Sequence, residues 1–458
     1  MEPTATYQGR IGAYPLTPSQ ILVLWFAGAV ALGTICLLLP VASAPDRSIR
    51  FVDALFMATS AICVTGLVVK DLASDLSTTG QIMILVLIQL GGLGYMVLST
   101  IIIILLGKKV GIKQRLVMQE ALNVLTVEGV IGLLKGILLL TVVAEGLGAI
   151  LLAIRFSVEF PWPRAAYLGL FHAISAFNNA GFSLFPTSLV AYQRDWVVNF
   201  LVTILAIIGG IGFIVYRDLI RLVKREVFRL TVHSWMVLSI TAALIVGGTL
   251  LFLALEGGNP KTLGSLPLRA QVLVSYFHSV TARTLGFNTI DIGACTGATL
   301  YLLVLLMFIG ASPGGTGGGV KTSTFGTMVV GVWAGIVGRS DVTAFHRRIP
   351  QETVIRAFSV ALLAFALVTG VTLILQVSDR QDFLRTLFES ASAFGTVGLS
   401  TGDGGVLSFS ALFTDFGKLM VVLTMLVGRI GPLTVSVALV RLEETRRFRY
   451  PPERVLIG

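Results

Sequence analysis

Charged residues are scarce in this sequence. They make up 13% of its 458 residues, whereas soluble proteins average about 25%. Hydrophobic residues make up 55%, and the mean hydropathy is +0.88. A chain of this length with so little charge would not stay in solution. The composition therefore excludes a set of soluble domains and predicts an integral membrane protein.

Cysteine and histidine are also rare. The three cysteines, Cys36, Cys63 and Cys295, form neither a CxxC motif nor pairs, and the four histidines lack the spacing of metal ligands. No grouping of nucleophile, base and acid typical of catalysis is found. The sequence therefore predicts no disulfide framework, no cofactor and no enzyme activity.

The net charge of +10 is unevenly distributed. Basic residues cluster at the ends of apolar runs, around 107–115, 217–229, 339–348 and 441–449, while the opposite loops are mixed or acidic. This is the positive-inside pattern. We therefore expect a multi-pass protein of the cell inner (plasma) membrane with both termini in the cytoplasm, surrounded by lipid and binding no nucleic acid.

A short motif that ends in glycine recurs four times. Its copies are Cys63, Val64, Thr65 and Gly66; Asn178, Asn179, Ala180 and Gly181; Arg283, Thr284, Leu285 and Gly286; and Gly395, Thr396, Val397 and Gly398. An aromatic residue stands ten positions before each glycine: Phe56, Phe171, Tyr276 and Phe388. Self-similarity of this kind indicates an internal repeat.

The apolar runs fit the same repeat. Eight are about the 20 residues that a spanning helix needs, at 20–43, 80–106, 129–155, 195–223, 233–255, 298–337, 352–377 and 412–441. Four shorter runs, at 50–61, 165–177, 268–282 and 382–393, suit re-entrant half-helices. The predicted fold class is an all-α integral membrane protein with four tandem span–pore-loop–span repeats (20–106, 129–223, 233–337 and 352–441) around a pseudo-fourfold pore, forming a single domain over 1–458.

Such an arrangement suits cation conduction. Irregular backbone at membrane depth is tolerated only where protein buries it or where it lines a wet cavity. Half-helices would direct the negative ends of their dipoles at that cavity, and rings of backbone carbonyls replace the hydration shell of K⁺. Glycine supplies the positive φ that such loops need. The alternative, that these glycines only pack helices, predicts a small-xxx-small period inside spans, which they do not follow.

Nearly the whole chain resembles the Trk/Ktr/HKT superfamily of potassium transporters, most closely its KtrB-type subunit. The likeness rests on the four glycine loops and on two further motifs described below. It implies that the four-residue copies form a K⁺ selectivity filter, and Gly66 in the first implies K⁺ preference, since relatives with serine there favour Na⁺. It also implies K⁺ as the transported ion, a homodimer, and a cytoplasmic ring of KtrA- or TrkA-type nucleotide-binding subunits. An effect of Na⁺ on transport stays open.

The sixth apolar run is interrupted by glycines at 310–319. A phosphate-binding loop would need lysine directly after the last glycine, and Val320 intervenes before Lys321. The stretch resembles the intramembrane gating loop of the superfamily, with a passive kink as the alternative. The predicted gate comprises Gly314, Gly315, Thr316, Gly317, Gly318, Gly319 and Lys321, together with Arg429.

Arg429 interrupts the last apolar run, where a charge costs on the order of 3 kcal/mol. It resembles the superfamily's arginine below the filter, which implies an electrostatic barrier. A structural pair with a carboxylate or with loop carbonyls is the alternative. We further expect Arg283 to pair with a nearby acid such as Glu389, and Asp53, Glu389 and Asp403 to lie at the outer mouth, either gathering cations or merely solvated.

Two other functions are open to the sequence. A secondary transporter with alternating access typically has inverted repeats or broken helices in paired positions. Here the repeats are parallel and only one span is expected to be broken, which favours the pore. A membrane-embedded enzyme would require a catalytic grouping that the sequence lacks.

Overall fold

The computed structural model describes residues 17–105, 130–404 and 406–439. In chain order the helices are α1 (Pro18–Leu38), α2 (Phe51–Ile62), α3 (Thr78–Leu105), α4 (Val130–Phe156), α5 (Trp162–Phe177), α6 (Trp196–Gly210), α7 (Phe213–Val223), α8 (Val232–Glu256), α9 (Leu268–Thr281), α10 (Gly297–Phe308), α11 (Thr322–Ile336), α12 (Gln351–Ser378), α13 (Phe383–Gly395), α14 (Asp415–Ile430) and α15 (Pro432–Leu439). A hairpin of β1 (Thr343–Ala344) and β2 (Arg347–Arg348) precedes α12. Our expectations for both termini, the basic segment 107–115 and the tail from 440 lie outside these residues.

Each repeat opens with an unbroken apolar helix. These are α1, α4, α8 and α12, of 21, 27, 25 and 28 residues. At 1.5 Å per residue each is long enough to cross a hydrocarbon core about 30 Å thick. Thr17 and Thr231 cap the first turns of α1 and α8. The first span of every repeat is therefore where the sequence predicts it.

A short buried helix follows each first span. These four pore helices, α2, α5, α9 and α13, have 12, 16, 14 and 13 residues, too few to cross. Each carries one wholly buried phenylalanine in its middle: Phe56, Phe171, Phe277 and Phe388. In the third repeat this residue is Phe277 and not Tyr276, which is only partly buried. The equivalence that we expected from the ten-residue spacing is wrong there, because the third loop is one residue shorter.

The second span of every repeat is broken, whereas we expected only one break. A residue with non-helical φ interrupts α3 at Gly94 (φ +72). The axes of α6 and α7 differ by 92° at Gly212, and those of α14 and α15 by 97° at Gly431. In the third repeat residues 309–321 separate α10 from α11. The predicted break in the third repeat is found, and the prediction that the second spans of the other three repeats are continuous is wrong.

The breaks share a sequence signal. Gly91, Gly92 and Gly94 in the first repeat correspond to Gly209, Gly210 and Gly212 in the second. Gly428 and Gly431 occupy the first and last of these positions in the fourth repeat, with Arg429 between them. A Cβ atom on Gly91, Gly209 or Gly428 would lie 1.9 Å from the carbonyl oxygen of the last or next-to-last residue of the same repeat's pore helix. Glycine therefore allows the second span to touch the pore helix backbone.

The repeats close into a ring. The second span of each repeat packs on the pore helix of the next: α3 on α5, α6 on α9, α10 on α13, and α14 back on α2. At the last contact the Nζ atom of Lys418 lies 2.7 Å from a carboxylate oxygen of Asp53, and both side chains are buried. Arg50 pairs with the other oxygen at 3.2 Å. The chain thus joins its first and fourth repeats around a common axis.

Candidate functional site

Four loops with unusual backbone geometry meet at this axis. The last glycines of the repeated motif, Gly66, Gly181, Gly286 and Gly398, have φ of +91°, +67°, +87° and +91°. The residues two positions earlier, Val64, Asn179, Thr284 and Thr396, have φ of +55°, +59°, +76° and +49°. Among the described residues, the β-branched ones with positive φ all belong to this set. Such strain costs on the order of 1–3 kcal/mol per residue and clusters at functional sites.

The hydrogen bonds of these loops show where their carbonyls point. In the first loop the N–H of Thr65 donates to the Ser60 carbonyl at 2.8 Å, and that of Gly66 donates to the Ser60 hydroxyl at 3.1 Å. In a planar trans peptide the N–H and the preceding carbonyl point in opposite directions. The carbonyls of Val64 and Thr65 therefore face away from the pore helix, toward the axis.

The other three loops repeat this pattern. The residue before each glycine donates to a carbonyl on its own pore helix, from Ala180 to Ser175, from Leu285 to Thr281 and from Val397 to Ser392, at 2.8–3.1 Å. The Ser392 hydroxyl also accepts from Gly398, as Ser60 does for Gly66. Each loop therefore directs at least one carbonyl, that of Val64, Asn179, Thr284 or Thr396, toward the shared axis.

The glycines are also required sterically. A Cβ atom on Gly66 would lie 2.3 Å from the Ala180 carbonyl oxygen. The corresponding contacts are Gly181 with Leu285 at 3.0 Å, Gly286 with Val397 at 2.5 Å and Gly398 with Thr65 at 2.2 Å. Each glycine thus abuts a carbonyl of the next loop in a closed cycle of four. All four predicted loops are brought together, and no side chain larger than hydrogen fits at these positions without displacing its neighbour.

The prediction that Arg283 pairs with Glu389 is wrong. Its guanidinium reaches the Thr241 hydroxyl on α8 at 3.4 Å. Glu389 instead accepts hydrogen bonds from Ser400 at 2.7 Å and from the backbone N–H of Ser410 at 2.9 Å. Arg283 therefore braces the third loop against the first span of its own repeat.

The carboxylates expected at the outer mouth do not form a cation-gathering rim. Asp53 is 2% exposed and pairs with Lys418, and Glu389 is wholly buried. Asp403 accepts a hydrogen bond from the backbone of Leu407 at 3.2 Å. Asp53 and Glu389 are thus both buried with compensating donors, as the burial of a carboxylate requires.

The interrupted stretch 310–321 packs against the glycine loops and is mostly buried. Three of its backbone N–H groups donate to carbonyls that the helix breaks leave without intrahelical partners. Ser312 N–H donates to Gly210 at 3.0 Å, Thr316 N–H donates to Gly209 at 3.1 Å, and Gly319 N–H donates to Gly428 at 3.3 Å. The loop thereby caps the ends of α6 and α14, which satisfies the rule that backbone groups within a membrane are paired.

The stretch 310–321 also contacts the residues of the four glycine loops that have positive φ. The Thr316 hydroxyl bonds the Asn179 side chain at 3.0 Å, and Gly318 N–H donates to the Thr396 hydroxyl at 3.0 Å. A Cβ atom on Gly317 would lie 2.1 Å from the Thr284 hydroxyl. Three successive residues of the stretch therefore contact the second, third and fourth glycine loops. In the first glycine loop the residue with positive φ is Val64, whose side chain is apolar.

Arg429 completes the capping. Its guanidinium donates to the carbonyls of Thr316 in the loop and of Gly91 and Gly92 at the end of the straight part of α3. Lys321 lies at the other end of the loop, where its Nζ atom donates to the Gly317 carbonyl at 2.7 Å. The observed contacts are those of the alternative in which Arg429 pairs with loop carbonyls. The guanidinium charge stays next to the ring.

Two polar side chains behind the second loop escaped the sequence reasoning. Glu145 on α4 and Gln89 on α3 both bond the Asn178 amide at 2.9 Å. The sequence did contain a signal for Glu145, since a carboxylate inside the apolar run 129–155 is a candidate functional residue by itself.

Comparison with known proteins agrees with this geometry. Residues 28–450 match the TrkH family, described as Cation transport protein. The chain belongs to the TrkH family of cation transport proteins. It is therefore a multi-pass membrane protein of a transporter family, and not an enzyme.

Several TrkH-family relatives match over nearly their whole length. The chain is 39% identical to Ktr system potassium uptake protein B of Bacillus subtilis (strain 168), covering 96% of this chain and 97% of that protein. It is 37% identical to the protein of that name from Vibrio alginolyticus, over 96% and 94% of the two chains. It is also 37% identical to the potassium/sodium uptake protein NtpJ of Enterococcus hirae, over 97% and 98%.

A solved structure supports the fold. The potassium transporter TrkH from Vibrio parahaemolyticus superposes with a TM-score of 0.72, covering 95% of this chain and 86% of that one at 19% sequence identity. The predicted fold class and the predicted resemblance to the superfamily are both confirmed.

Proposed function

We propose that this chain is the ion-conducting subunit of a Ktr/Trk-type K⁺ uptake system, a single pore domain over 1–458. The observation that carries the proposal is the closed cycle in which Gly66, Gly181, Gly286 and Gly398 each abut a carbonyl of the next loop. Inward carbonyls from all four loops provide oxygen ligands that replace the water around K⁺. The names of the relatives from Bacillus and Vibrio support K⁺ as the cargo.

The pore helices and the membrane potential both favour cation entry. Their C-terminal ends meet at the ring, and each end carries about half a negative charge. The membrane potential contributes about 2.3 kcal/mol per charge per 100 mV, which drives K⁺ inward without ATP.

The loop 310–321 acts as the gate in this proposal. It bears on the inner side of three filter loops and is held there by the caps on α6 and α14. Arg429 adds a positive charge at the same place, which opposes a passing cation until loop and guanidinium move together. Moving the loop exposes carbonyls at the ends of α6 and α14, which then face the ion path.

Partners and location complete the proposal. The chain works as a homodimer in the inner (plasma) membrane, with both termini cytoplasmic and a cytoplasmic KtrA- or TrkA-type ring that binds nucleotide. The relatives named as parts of a Ktr system support a multi-component assembly, and the basic segments 107–115 and 217–229 and the tail 441–458 are its docking surfaces. The name of the Enterococcus relative, a potassium/sodium uptake protein, supports Na⁺ as a second ion that takes part in transport.

Alternating access is the second candidate, and one observation favours it. All four second spans are broken, and discontinuous helices are typical of secondary transporters. However, these breaks occur once in each of four parallel repeats, whereas such transporters usually pair breaks across inverted repeats. We therefore assign the helix breaks, whose carbonyls the loop 310–321 caps, to the gate.

The purified chain in proteoliposomes tests both functions. With K⁺ inside and a protonophore to carry compensating charge, we expect K⁺ efflux well above Na⁺ efflux. At a fixed K⁺ gradient, the reversal potential of a pore stays at the K⁺ value when the Na⁺ gradient is varied, while that of a coupled symporter shifts with it. Equal K⁺ and Na⁺ fluxes, or no flux of either, would contradict the proposed function.

A further inference from the structure

Glu145 lies within α4, an apolar helix of 27 residues, and is only 9% exposed. A carboxylate at membrane depth is strongly disfavoured unless its partners compensate it, and such residues mark function more often than packing. Nothing in the ring, the loop or the Arg429 contacts uses this group. Its partners therefore indicate its role.

Three side chains form a closed triangle of hydrogen bonds around it. One Glu145 oxygen accepts from the Asn178 amide at 2.9 Å, and the other accepts from the Gln89 amide at 3.3 Å. Asn178 also donates to the Gln89 oxygen at 2.9 Å. The triangle joins α3 of the first repeat and α4 of the second repeat to the second filter loop.

Asn178 is well placed to transmit this contact. It directly follows the last residue of α5 and precedes Asn179, whose carbonyl faces the axis. Its side-chain oxygen lies against Gly92, where a Cβ atom would be 1.9 Å away. The corresponding residues of the first and fourth loops, Cys63 and Gly395, have no amide to anchor. Within the described part of the chain, the second loop is the one of these three that a side chain ties to a neighbouring span.

We propose that Glu145 is a positioning residue that sets K⁺ over Na⁺ selectivity by anchoring the second filter loop through Asn178. An ionised carboxylate accepts on both oxygens, so it can receive the Asn178 and Gln89 amides together and fix both orientations. With Asn178 held, the backbone from Asn179 to Gly181 keeps its distance from the opposite loops. The inference deepens the proposed function and rests on it.

The test compares K⁺/Na⁺ selectivity, measured from reversal potentials of the full chain in proteoliposomes. Glu145→Gln retains the shape but places an amide group where an oxygen accepts, and Glu145→Leu removes the anchor. We expect selectivity to fall by about threefold and about tenfold respectively, the range that loss of one or two hydrogen bonds produces. Asn178→Ala should match Glu145→Leu, and adding Glu145→Gln to it should cause no further loss.

Thr141→Val is the matched control. Thr141 lies one turn before Glu145 on the same helix, is 2% exposed, and its hydroxyl has no hydrogen-bond partner within the described part of the chain. Its selectivity should equal that of the wild type.

A purely structural Glu145 gives a different result. Flux would then fall in proportion to the folded protein recovered, and the K⁺/Na⁺ ratio would stay unchanged in both Glu145→Gln and Asn178→Ala, which would overturn the inference. If Glu145→Leu does not reach the membrane, those two variants carry the test. Lack of selectivity in the wild type would instead refute the proposed function.

Discussion

The guanidinium of Arg429 donates to the carbonyl oxygen of Thr316, so the last spanning helix holds the intramembrane loop directly. Its other nitrogen bonds the Gly91 carbonyl, at the end of the straight part of α3. One side chain thus holds the loop and caps a broken helix, and in the proposed function it also serves as a barrier charge. Each of these roles predicts a different response to substitution.

Replacing Arg429 separates charge from latch. Arg429→Ala removes both, and we expect K⁺ flux to rise by about tenfold, the effect of lowering a barrier by about 1.4 kcal/mol. Arg429→Lys keeps the charge but cannot bridge two carbonyls with a planar fork, so flux should rise by a smaller factor. Both are measured as K⁺ efflux per folded protein. Wild-type flux in Arg429→Ala together with lower thermal stability would leave only the structural role.

Removing the Thr396 hydroxyl tests the contact between the fourth glycine loop and the stretch 310–321. Thr396→Val deletes the acceptor of Gly318 N–H, which weakens loop docking by about 1 kcal/mol. We expect a several-fold higher K⁺ efflux in the absence of any partner. Thr401→Val is the control, since the Thr401 hydroxyl is buried and has no partner among the described residues. Equal efflux in both variants would show that this contact does not restrain the loop.

Deleting residues 314–319 tests the gate itself. The deletion removes the Thr316 and Gly319 caps together with the Gly318 contact. Flux should increase and lose most of its dependence on the cytoplasmic nucleotide-binding partner, measured with and without that partner. Retention of both the basal rate and the regulation would exclude the loop as the gate and leave a passive kink.

The buried ion pair between Asp53 and Lys418 should stabilise the closure of the ring. Lys418→Met leaves a buried carboxylate with only Arg50, at a cost of roughly 3 kcal/mol. Replacing both residues, as Asp53→Leu with Lys418→Met, should recover most of the loss, because no charge is then left uncompensated. Thermal unfolding in detergent measures both.

The exposed pair of Arg348 and Asp341 provides the comparison. Their side chains are 70% and 50% exposed, so Arg348→Met should cost less than about 1 kcal/mol. A loss for Lys418→Met no greater than for Arg348→Met would show that the buried pair does not hold the repeats together.

The sequence was most informative where local geometry leaves one choice. Positive φ restricts a position to glycine or strains it, so Gly66, Gly181, Gly286 and Gly398 were visible at nearly constant spacing. The first spans and pore helices followed from length and apolarity alone. The one-residue shortening of the third loop hid the role of Phe277, since a fixed spacing cannot detect a deletion.

The features that the sequence concealed depend on contacts between distant segments. Glycines in an apolar run indicate either helix packing or a break, so the breaks at Gly94, Gly212 and Gly431 were missed. The carbonyls at these breaks accept hydrogen bonds from residues far away along the chain, such as Ser312 for Gly210 and Arg429 for Gly91. The contacts of Arg283 with Thr241 on α8, and of Glu389 with Ser400 and Ser410, are likewise not indicated by any spacing in the sequence.

The measurement that tests the ring most directly is K⁺ against Na⁺ selectivity of Gly66→Ser in proteoliposomes. A Cβ atom at Gly66 meets the Ala180 carbonyl at 2.3 Å, so serine must displace the second loop from the axis. Gly404→Ser is the control, because Gly404 has nearly the same φ, +92° against +91°, with no atom within 4 Å of its Cβ position. The ring predicts loss of K⁺ preference in Gly66→Ser and wild-type selectivity in Gly404→Ser, and unchanged selectivity in Gly66→Ser would contradict it.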